Sequence, residues 1–371
     1  MMRFLILLPC LLMFNLAGYS QNRWEGSGIE TNLMYGKVIS HTKKFIKQIP
    51  DHSSLLEINY VKQTNGSKPW QQRRKYPLVG FAFLYTNYGI DSIYGRCFSI
   101  IPNLQIPVIR GKNIEWTIKA GFGLGYVTKR YERYPGWDTL NTAIGSHVNN
   151  NTYFMTDVRY HVDKHWDIQA GFHFTHLSNA AYRQPNLGIN MYGAHIGVRY
   201  FPVTAAPQKI SQELEALKNR VLVQARLGIS ATEVGPADGP LYPIYLSSLY
   251  ASKRYAGKIK ILAGIDYSYH ENIYAFLQNN EISVGEEKAN SWKSSIFLGH
   301  EFLIGHVGIL FQLGFYVKNP VVKDVLYQKL GGNLYLIQSE KGLLKELFLS
   351  GLLKTHKEQA ELVEVGLGVG F

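Results

Sequence analysis

The sequence predicts an all-β fold, a transmembrane antiparallel β-barrel. The 371-residue chain is rich in glycine and tyrosine, with 35 and 25 residues respectively. Apolar and polar residues alternate with period two over many segments, as they do in strands that face lipid on one side and a lumen on the other. After the N-terminal segment, no run of about 18 apolar residues could cross a bilayer as a helix.

The N-terminal segment has the features of a secretory signal peptide. Arg3 supplies a positive charge, residues 4–16 are largely apolar, and Gly18 and Ser20 are small residues placed for cleavage before Gln21. We therefore expect residues 1–20 to be removed and the chain to be exported. Removal leaves a single cysteine, which excludes an internal disulfide and a cysteine-based metal site.

The first half of the chain contains eight predicted strands. The clearest runs from Ile114 to Tyr126, where even positions are apolar and odd positions are polar or glycine. Each predicted strand is near or above the roughly ten residues needed to cross a bilayer at a tilt. The eight segments are 28–41, 52–62, 77–88, 93–106, 114–128, 152–163, 165–178 and 189–201.

The connections between these strands predict their orientation. If the N-terminus lies in the periplasm, the long connection 129–151 lies outside the cell, and 107–113 and 163–165 are short periplasmic turns. The segment 63–76 does not fit this scheme, because it should be a periplasmic turn but is long and basic.

The alternation stops at 205–220, which we interpret as a linker or short helix between a barrel region, 21–204, and a C-terminal strand region, 221–371. About eight more strands are predicted there. The last one ends in the terminal Phe371, which resembles the assembly signal of outer-membrane barrels. The second half either completes one barrel of about sixteen strands or forms a second module. We prefer the single larger barrel narrowly, because two closed barrels in one chain are uncommon.

The net charge of +12 indicates an anionic partner. For an exported, membrane-embedded chain, lipopolysaccharide phosphates are more natural anions than nucleic acid. Lys129, Arg130 and Arg133 in the long loop are candidates for contacting those phosphates, although an ordinary solvated loop explains them equally well. Whether the barrel forms a homodimer stays open.

Three polar residues interrupt the predicted lipid-facing side. His176 and Ser178 continue the apolar stripe of their strand at its extracellular end, and Asn190 faces outward on the returning strand. Hydrocarbon offers polar groups no partner, so either the strands have already left the bilayer or these groups form a site. A serine beside a histidine base, with a third group to orient the imidazole, can attack an ester.

Other candidate sites are weaker. His173 and His195 have lumen parity and are expected to belong to a polar interior network. The glycines alternate along strands and do not form a phosphate-binding loop, and no metal-ligand spacing is present. We expect no metal or other cofactor.

The segment 174–190 resembles the active-site strand, loop and strand of the PagL-type lipid A 3-O-deacylases, also grouped with acyloxyacyl hydrolases, which are outer-membrane barrel esterases. The family pattern is His-x-Ser-Asn, then Pro-Asn-x-Gly, then an acidic residue on the next strand. The resemblance covers about 28–202. The matching residues are His176, Ser178, Asn179, Pro185, Asn186 and Gly188.

This resemblance implies roles for individual residues. Ser178 would be the nucleophile, His176 the base and Asn190 the group that orients it. Oxyanion or loop support would come from Asn179, Ala181, Asn186 and Gly188.

The chain departs from the family pattern at Asn190, where the family has an acid. An amide can orient a histidine but cannot stabilise imidazolium as a carboxylate does. The enzyme is therefore slow, recruits another carboxylate, or has lost activity. The second half lacks the motif, because Thr355-His356-Lys357-Glu358 has no serine two positions after its histidine.

The resulting prediction is an outer-membrane serine esterase, a carboxylic ester hydrolase that removes an ester-linked acyl chain from lipid A. The main alternative is a non-catalytic barrel serving as a pore, adhesin or lipopolysaccharide-binding structural protein. An acyl transferase with the same triad differs only in the acceptor that receives the acyl group.

Overall fold

The structure, a computed structural model, describes residues 24–40, 49–134, 138–214, 220–235, 237–255, 257–321, 324–357 and 359–371. The predicted signal peptide, 1–20, lies outside these ranges. In the described part, the chain forms sixteen strands, two short α-helices and one 3₁₀ turn. No helix in these ranges is long and apolar enough to cross a membrane.

Eight strands form the first barrel. They are β1 Ser27–Val38, β2 Ser53–Gln63, β3 Leu78–Asn87, β4 Arg96–Arg110, β5 Ile114–Val127, β6 Val148–His161, β7 Trp166–Ser178 and β8 Ile189–Tyr200. A short helix, α1, Pro69–Arg73, lies between β2 and β3.

Eight further strands form the second barrel. They are β9 Val221–Glu233, β10 Leu241–Tyr255, β11 Ile259–His270, β12 Trp292–Ile304, β13 Val307–Lys318, β14 Leu326–Gln338, β15 Glu346–His356 and β16 Gln359–Gly370. Helix α2, Glu271–Asn279, follows β11.

Each half of the chain closes on itself. Strand β8 pairs antiparallel with β1, with Ile196 opposite Leu33, and β16 pairs with β9, with Leu367 opposite Leu227. The structure therefore contains two closed antiparallel barrels. Our preference for one barrel of about sixteen strands was wrong, and the alternative of a second module is correct.

The lumen of the first barrel explains why it closes with eight strands. Lys119 on β5 forms ion pairs with Glu30 and Glu57 on β1 and β2, the latter with 2.9 Å between Nζ and Oε2. Arg159 on β6 pairs with the same Glu30 at 3.2 Å and with Glu115 at 3.0 Å. A buried charge needs a partner within contact distance. An eight-stranded lumen is narrow enough for side chains to meet across it, whereas larger barrels leave a water-filled channel.

The second lumen is filled in the same way by its own residues. Arg226 on β9 pairs with Glu364 on β16 at 2.9 Å, and Lys329 on β14 reaches the same carboxylate at 2.8 Å. Lys260 on β11 pairs with Glu346 on β15 at 2.6 Å. These lumen charges are therefore paired with side chains of their own barrel.

The predicted alternation matches the observed exposure. Along β5 the even positions face outward and most are exposed, with Phe122 and Leu124 about two-thirds exposed at 64% and 63%. Strand β6 begins at Val148, earlier than the predicted 152, because the polar residues Asn149–Asn151 pair with β5 although they lack an apolar alternation. Apolar outward faces around polar lumens are the arrangement of a membrane barrel.

Two segments, 205–220 and 63–76, interrupted the alternation in the sequence. Residues 205–214 are irregular, and 215–219 of the predicted helix lie outside the described ranges. The anomalous segment 63–76 contains α1, and Arg74 after it donates hydrogen bonds to the backbone oxygens of Leu303 and Lys258 at 2.9 and 3.2 Å. Arg74 of this long, basic connection thus joins the first barrel to a turn and a strand end of the second.

Candidate active site

Strand pairing assembles a Ser-His-Asn triad on the outer face of the first barrel. Strands β7 and β8 place His176 opposite Asn190. His176 Nδ1 lies 2.5 Å from Asn190 Oδ1, and His176 Nε2 lies 2.9 Å from Ser178 Oγ. Because an amide oxygen only accepts hydrogen bonds, Nδ1 carries the proton and donates it to Asn190. The Nε2 lone pair then accepts the Ser178 hydroxyl, which is the arrangement a general base needs.

The connection between β7 and β8, residues 179–188, covers this triad, and we call it the catalytic loop. The Asn179 amide donates to Asn186 Oδ1 at 2.9 Å, and the Gly188 amide donates to Ala143 O at 3.0 Å. Gly188 has a φ of 75°, and a Cβ there would lie 3.2 Å from His176 Cε1. Glycine suits this position because it adopts a left-handed backbone and lets the loop approach the imidazole closely. Ser178 is consequently only 6% exposed.

Asn179 presents a hydrogen-bond donor that has no acceptor. Its Oδ1 accepts from the Arg183 amide at 3.3 Å, while its buried Nδ2 has no partner among the residues that the structure describes. The neighbouring Ala180 and Ala181 adopt left-handed φ values of 53° and 67°. A buried donor normally has a partner. A ligand oxygen next to Ser178 is a suitable acceptor for this one.

Strand β6 contributes two polar residues that sequence reasoning missed. Asn150 lies opposite Ser178, and Thr152 lies opposite His176. Thr152 Oγ1 donates to Asn150 Oδ1 at 2.9 Å, and Asn150 Nδ2 donates to Gly123 O at 3.0 Å. The signal in the sequence was their even parity, which places them on the outward side of β6 with Phe154.

The lumen histidines lie away from this site. His195 Nε2 is 2.6 Å from Asp157 Oδ1 inside the first barrel. The His173 ring is also buried, with its centroid 5.9 Å from that of His195. Both therefore belong to the interior, as their parity indicates.

In the long loop, the side chains of Lys129 and Arg130 and the backbone amide of Arg133 have partners within the protein. Arg130 Nη1 lies 2.9 Å from Asp238 Oδ1 of the second barrel, and the Arg133 amide donates to the same carboxylate at 3.4 Å. Lys129 Nζ donates to Ser92 O at 2.9 Å. The loop therefore joins the two barrels at the end where the triad lies.

Solved outer-membrane barrels resemble the structure at low identity. The crystal structure of Neisserial surface protein A is 12% identical over 48% of this chain and 97% of its own, with a TM-score of 0.35. The crystal structure of the outer membrane enzyme PagL is 17% identical over 45% of this chain and 97% of its own, with a TM-score of 0.31. A mutant porin of Rh. blastica is 10% identical over 93% of this chain and 99% of its own, with a TM-score of 0.21.

A comparison with curated proteins finds no match. Sequence models of two families do match. The model described as lipid A 3-O-deacylase (PagL) matches residues 55–199, and the model described as acyloxyacyl hydrolase, C-terminal domain, matches residues 219–371. The first range lies within the first barrel and includes the triad, and the second contains the whole second barrel. The first barrel therefore matches the lipid A 3-O-deacylase (PagL) family, and the second barrel matches the acyloxyacyl hydrolase C-terminal domain family.

Proposed function

We propose that the protein is a serine esterase that removes an ester-linked acyl chain from lipid A. It is a lipid A deacylase-like protein of the bacterial outer membrane. The observation that supports a serine mechanism is the hydrogen-bonded chain Asn190–His176–Ser178 on the outward face of a membrane barrel. A nucleophile on that face meets substrates that lie in the membrane, and lipid A is such a substrate.

In the first half-reaction, the Ser178 hydroxyl attacks the carbonyl carbon of the acyl ester while His176 Nε2 takes its proton. The carbonyl oxygen becomes negatively charged and accepts a hydrogen bond from Asn179 Nδ2, which has no other partner among the described residues. When the tetrahedral intermediate collapses, the ester C–O bond breaks. The sugar oxygen leaves as an alcohol and receives the proton from His176.

In the second half-reaction, water attacks the acyl-Ser178 ester. His176 removes a proton from the water and returns it to Ser178 Oγ as the fatty acid leaves. Throughout, Asn190 Oδ1 accepts a hydrogen bond from His176 Nδ1 and so keeps the imidazole in the required tautomer. If a second lipid takes the place of water, the same acyl-enzyme would transfer its acyl chain instead.

The test is mass spectrometry of lipid A from outer membranes that contain the protein. We expect the wild type to remove one acyl chain and Ser178→Ala to remove none. The second barrel offers a matched control, since Ser268 Oγ lies 3.0 Å from His270 Nε2 but faces the lumen. Ser268→Ala should keep full activity. Unchanged deacylation by a folded Ser178→Ala variant would contradict the proposal, and a transferred acyl chain on another lipid would identify an acyl transferase.

A further inference from the structure

The second barrel contacts the catalytic loop through the end of its first strand. Thr232 Oγ1 donates a hydrogen bond to Ala181 O at 3.1 Å. The Glu233 carboxylate accepts hydrogen bonds from Arg183 Nη1 at 2.8 Å and from the Gln184 amide at 2.6 Å. Three residues of the catalytic loop, Ala181, Arg183 and Gln184, thus contact two adjacent residues of β9.

We propose that Thr232 and Glu233 are positioning residues, through which the second barrel orders the catalytic loop and with it the oxyanion donor. This inference rests on the proposed esterase function. It assigns the second barrel a role in the reaction of the first.

Glu233 is built to hold the loop firmly. Its side chain is fully buried, and a buried carboxylate is stable only when it is paired and hydrogen-bonded. Both of its described partners, Arg183 and Gln184, belong to the catalytic loop. If the loop moved away, the buried Glu233 carboxylate would lose both partners. Hydrogen bonds to a charged acceptor are stronger than hydrogen bonds to a neutral one, so this loss is costly.

The backbone of the catalytic loop requires such support. Ala180 and Ala181 have φ values of 53° and 67°, in a left-handed region that residues with a Cβ disfavour. The Thr232 hydroxyl supports this backbone directly, because it donates a hydrogen bond to the carbonyl oxygen of Ala181.

The contact reaches the oxyanion donor through Arg183. While Glu233 holds the Arg183 side chain, the Arg183 amide donates to Asn179 Oδ1 at 3.3 Å. Fixing that end of the Asn179 side chain fixes the direction of its other end, Nδ2. Glu233 therefore acts on the reaction without touching the substrate.

The experiment uses the full-length protein, folded in vesicles that contain lipid A, with Glu233→Ala, Glu233→Gln and Asp238→Asn. Asp238 is the matched control, because its carboxylate also joins the barrels but binds the long loop at Arg130 and Arg133. We expect Glu233→Ala to lower kcat by about 10-fold or more with little change in KM, since oxyanion donors act mainly in the transition state. Glu233→Gln keeps one acceptor oxygen, so its kcat should lie between those of the wild type and Glu233→Ala. Asp238→Asn should stay within about twofold of the wild type.

Hydrogen exchange of the amides of residues 179–184 provides a readout besides activity. We expect these amides to exchange faster in Glu233→Ala and to be unchanged in Asp238→Asn, with both variants still migrating as folded barrels on unheated gels. Unchanged kcat, or a lower kcat with unchanged exchange, would overturn the inference.

A failure of the proposed esterase function would be seen separately, because the wild-type protein would then show no deacylation that depends on Ser178. The exchange measurement then still tests the ordering of the loop. Equal exchange in Glu233→Ala and the wild type would overturn that as well.

Discussion

Asn190 occupies the position in which a carboxylate would stabilise the charge on His176 during proton transfer. Its Oδ1 lies 2.5 Å from His176 Nδ1. The neutral amide therefore orients the imidazole, but it does not balance the positive charge that the imidazolium acquires. In a serine protease, replacing the triad aspartate by asparagine lowers kcat about 10⁴-fold, partly because the tautomer is wrong. Here the geometry selects the correct tautomer, so we expect a smaller loss from the amide.

This argument predicts that Asn190→Asp raises the rate of deacylation. The added carboxylate should increase kcat by about 10-fold or more, because it stabilises the imidazolium that forms in the transition state. Asn190→Ala should lower kcat by about 10²-fold, since the imidazole loses its orienting partner. Single-turnover deacylation of lipid A in vesicles measures both changes. Asn113→Asp in an exposed turn controls for the added charge, and a slower Asn190→Asp enzyme would contradict the prediction.

At the scale of elements, loops from one barrel are fixed by loops and strand ends of the other. Arg130 and Arg133 hold Asp238 at the end where the triad lies, and Arg74 binds Leu303 O at the opposite end. A Cβ on Gly305 would lie 2.7 Å from the Trp70 ring, so that ring packs against the turn between β12 and β13. Contacts at both ends keep the two barrels side by side.

The ion pair of Asp238 gives a prediction about pH. Burial alone raises the pKa of this carboxyl, but hydrogen bonds from Arg130 and Arg133 and the nearby positive charges hold the pKa below its ordinary value of 3.8. A lowered pKa in the folded state contributes stability that is present above the unfolded pKa and is lost as the pH falls through the folded one. The contribution is small, because the Asp238 side chain is 36% exposed.

We therefore expect the thermal unfolding midpoint of Asp238→Asn to lie about 1–2 °C below that of the wild type at neutral pH. The difference should stay constant from about pH 8 to pH 5 and shrink below about pH 4. Thermal scans at a single heating rate, across this pH series, measure it. A difference that grows on acidification would show that Asp238 is not held as an ionised carboxylate.

At the scale of the whole molecule, both lumens are occupied by side chains. Lys119 and Arg159 in the first barrel and Arg226 and Lys329 in the second are buried and paired with carboxylates. Eight-stranded barrels have interiors that side chains can fill. Among the non-catalytic alternatives, the filled lumens argue against a pore.

We accordingly expect the full-length protein to show no steady open-channel conductance in a planar bilayer. The buried ion pairs that meet across each lumen stand in the way of ions, and they resist displacement because their charges are buried. A known open porin in the same bilayer serves as the positive control. Stable ohmic steps of porin size would contradict the filled-lumen account and return attention to a pore function.

Much of the first barrel could be predicted from sequence because strand parity is local. The alternation along β5 identified which residues face lipid, and the parity of His176, Ser178 and Asn190 placed all three on one face. The resemblance of 174–190 to a known motif then indicated their chemistry. Asn150 and Thr152 were missed because their strand begins with polar residues, which hide the alternation that marks a membrane strand.

The sequence by itself determined the all-β class, the face on which each strand residue lies and the polar residues that interrupt the lipid side. Those properties follow from the two-residue repeat of a strand, which depends only on neighbouring positions. Only the tertiary structure decided that β8 returns to β1, so that two barrels form. It alone also decided that Glu233 holds a loop whose residue Gln184 lies 49 positions earlier in the chain. Strand closure and loop contacts join residues that are distant in sequence. An alternation pattern is the same whichever strand becomes the partner, so it could not specify them.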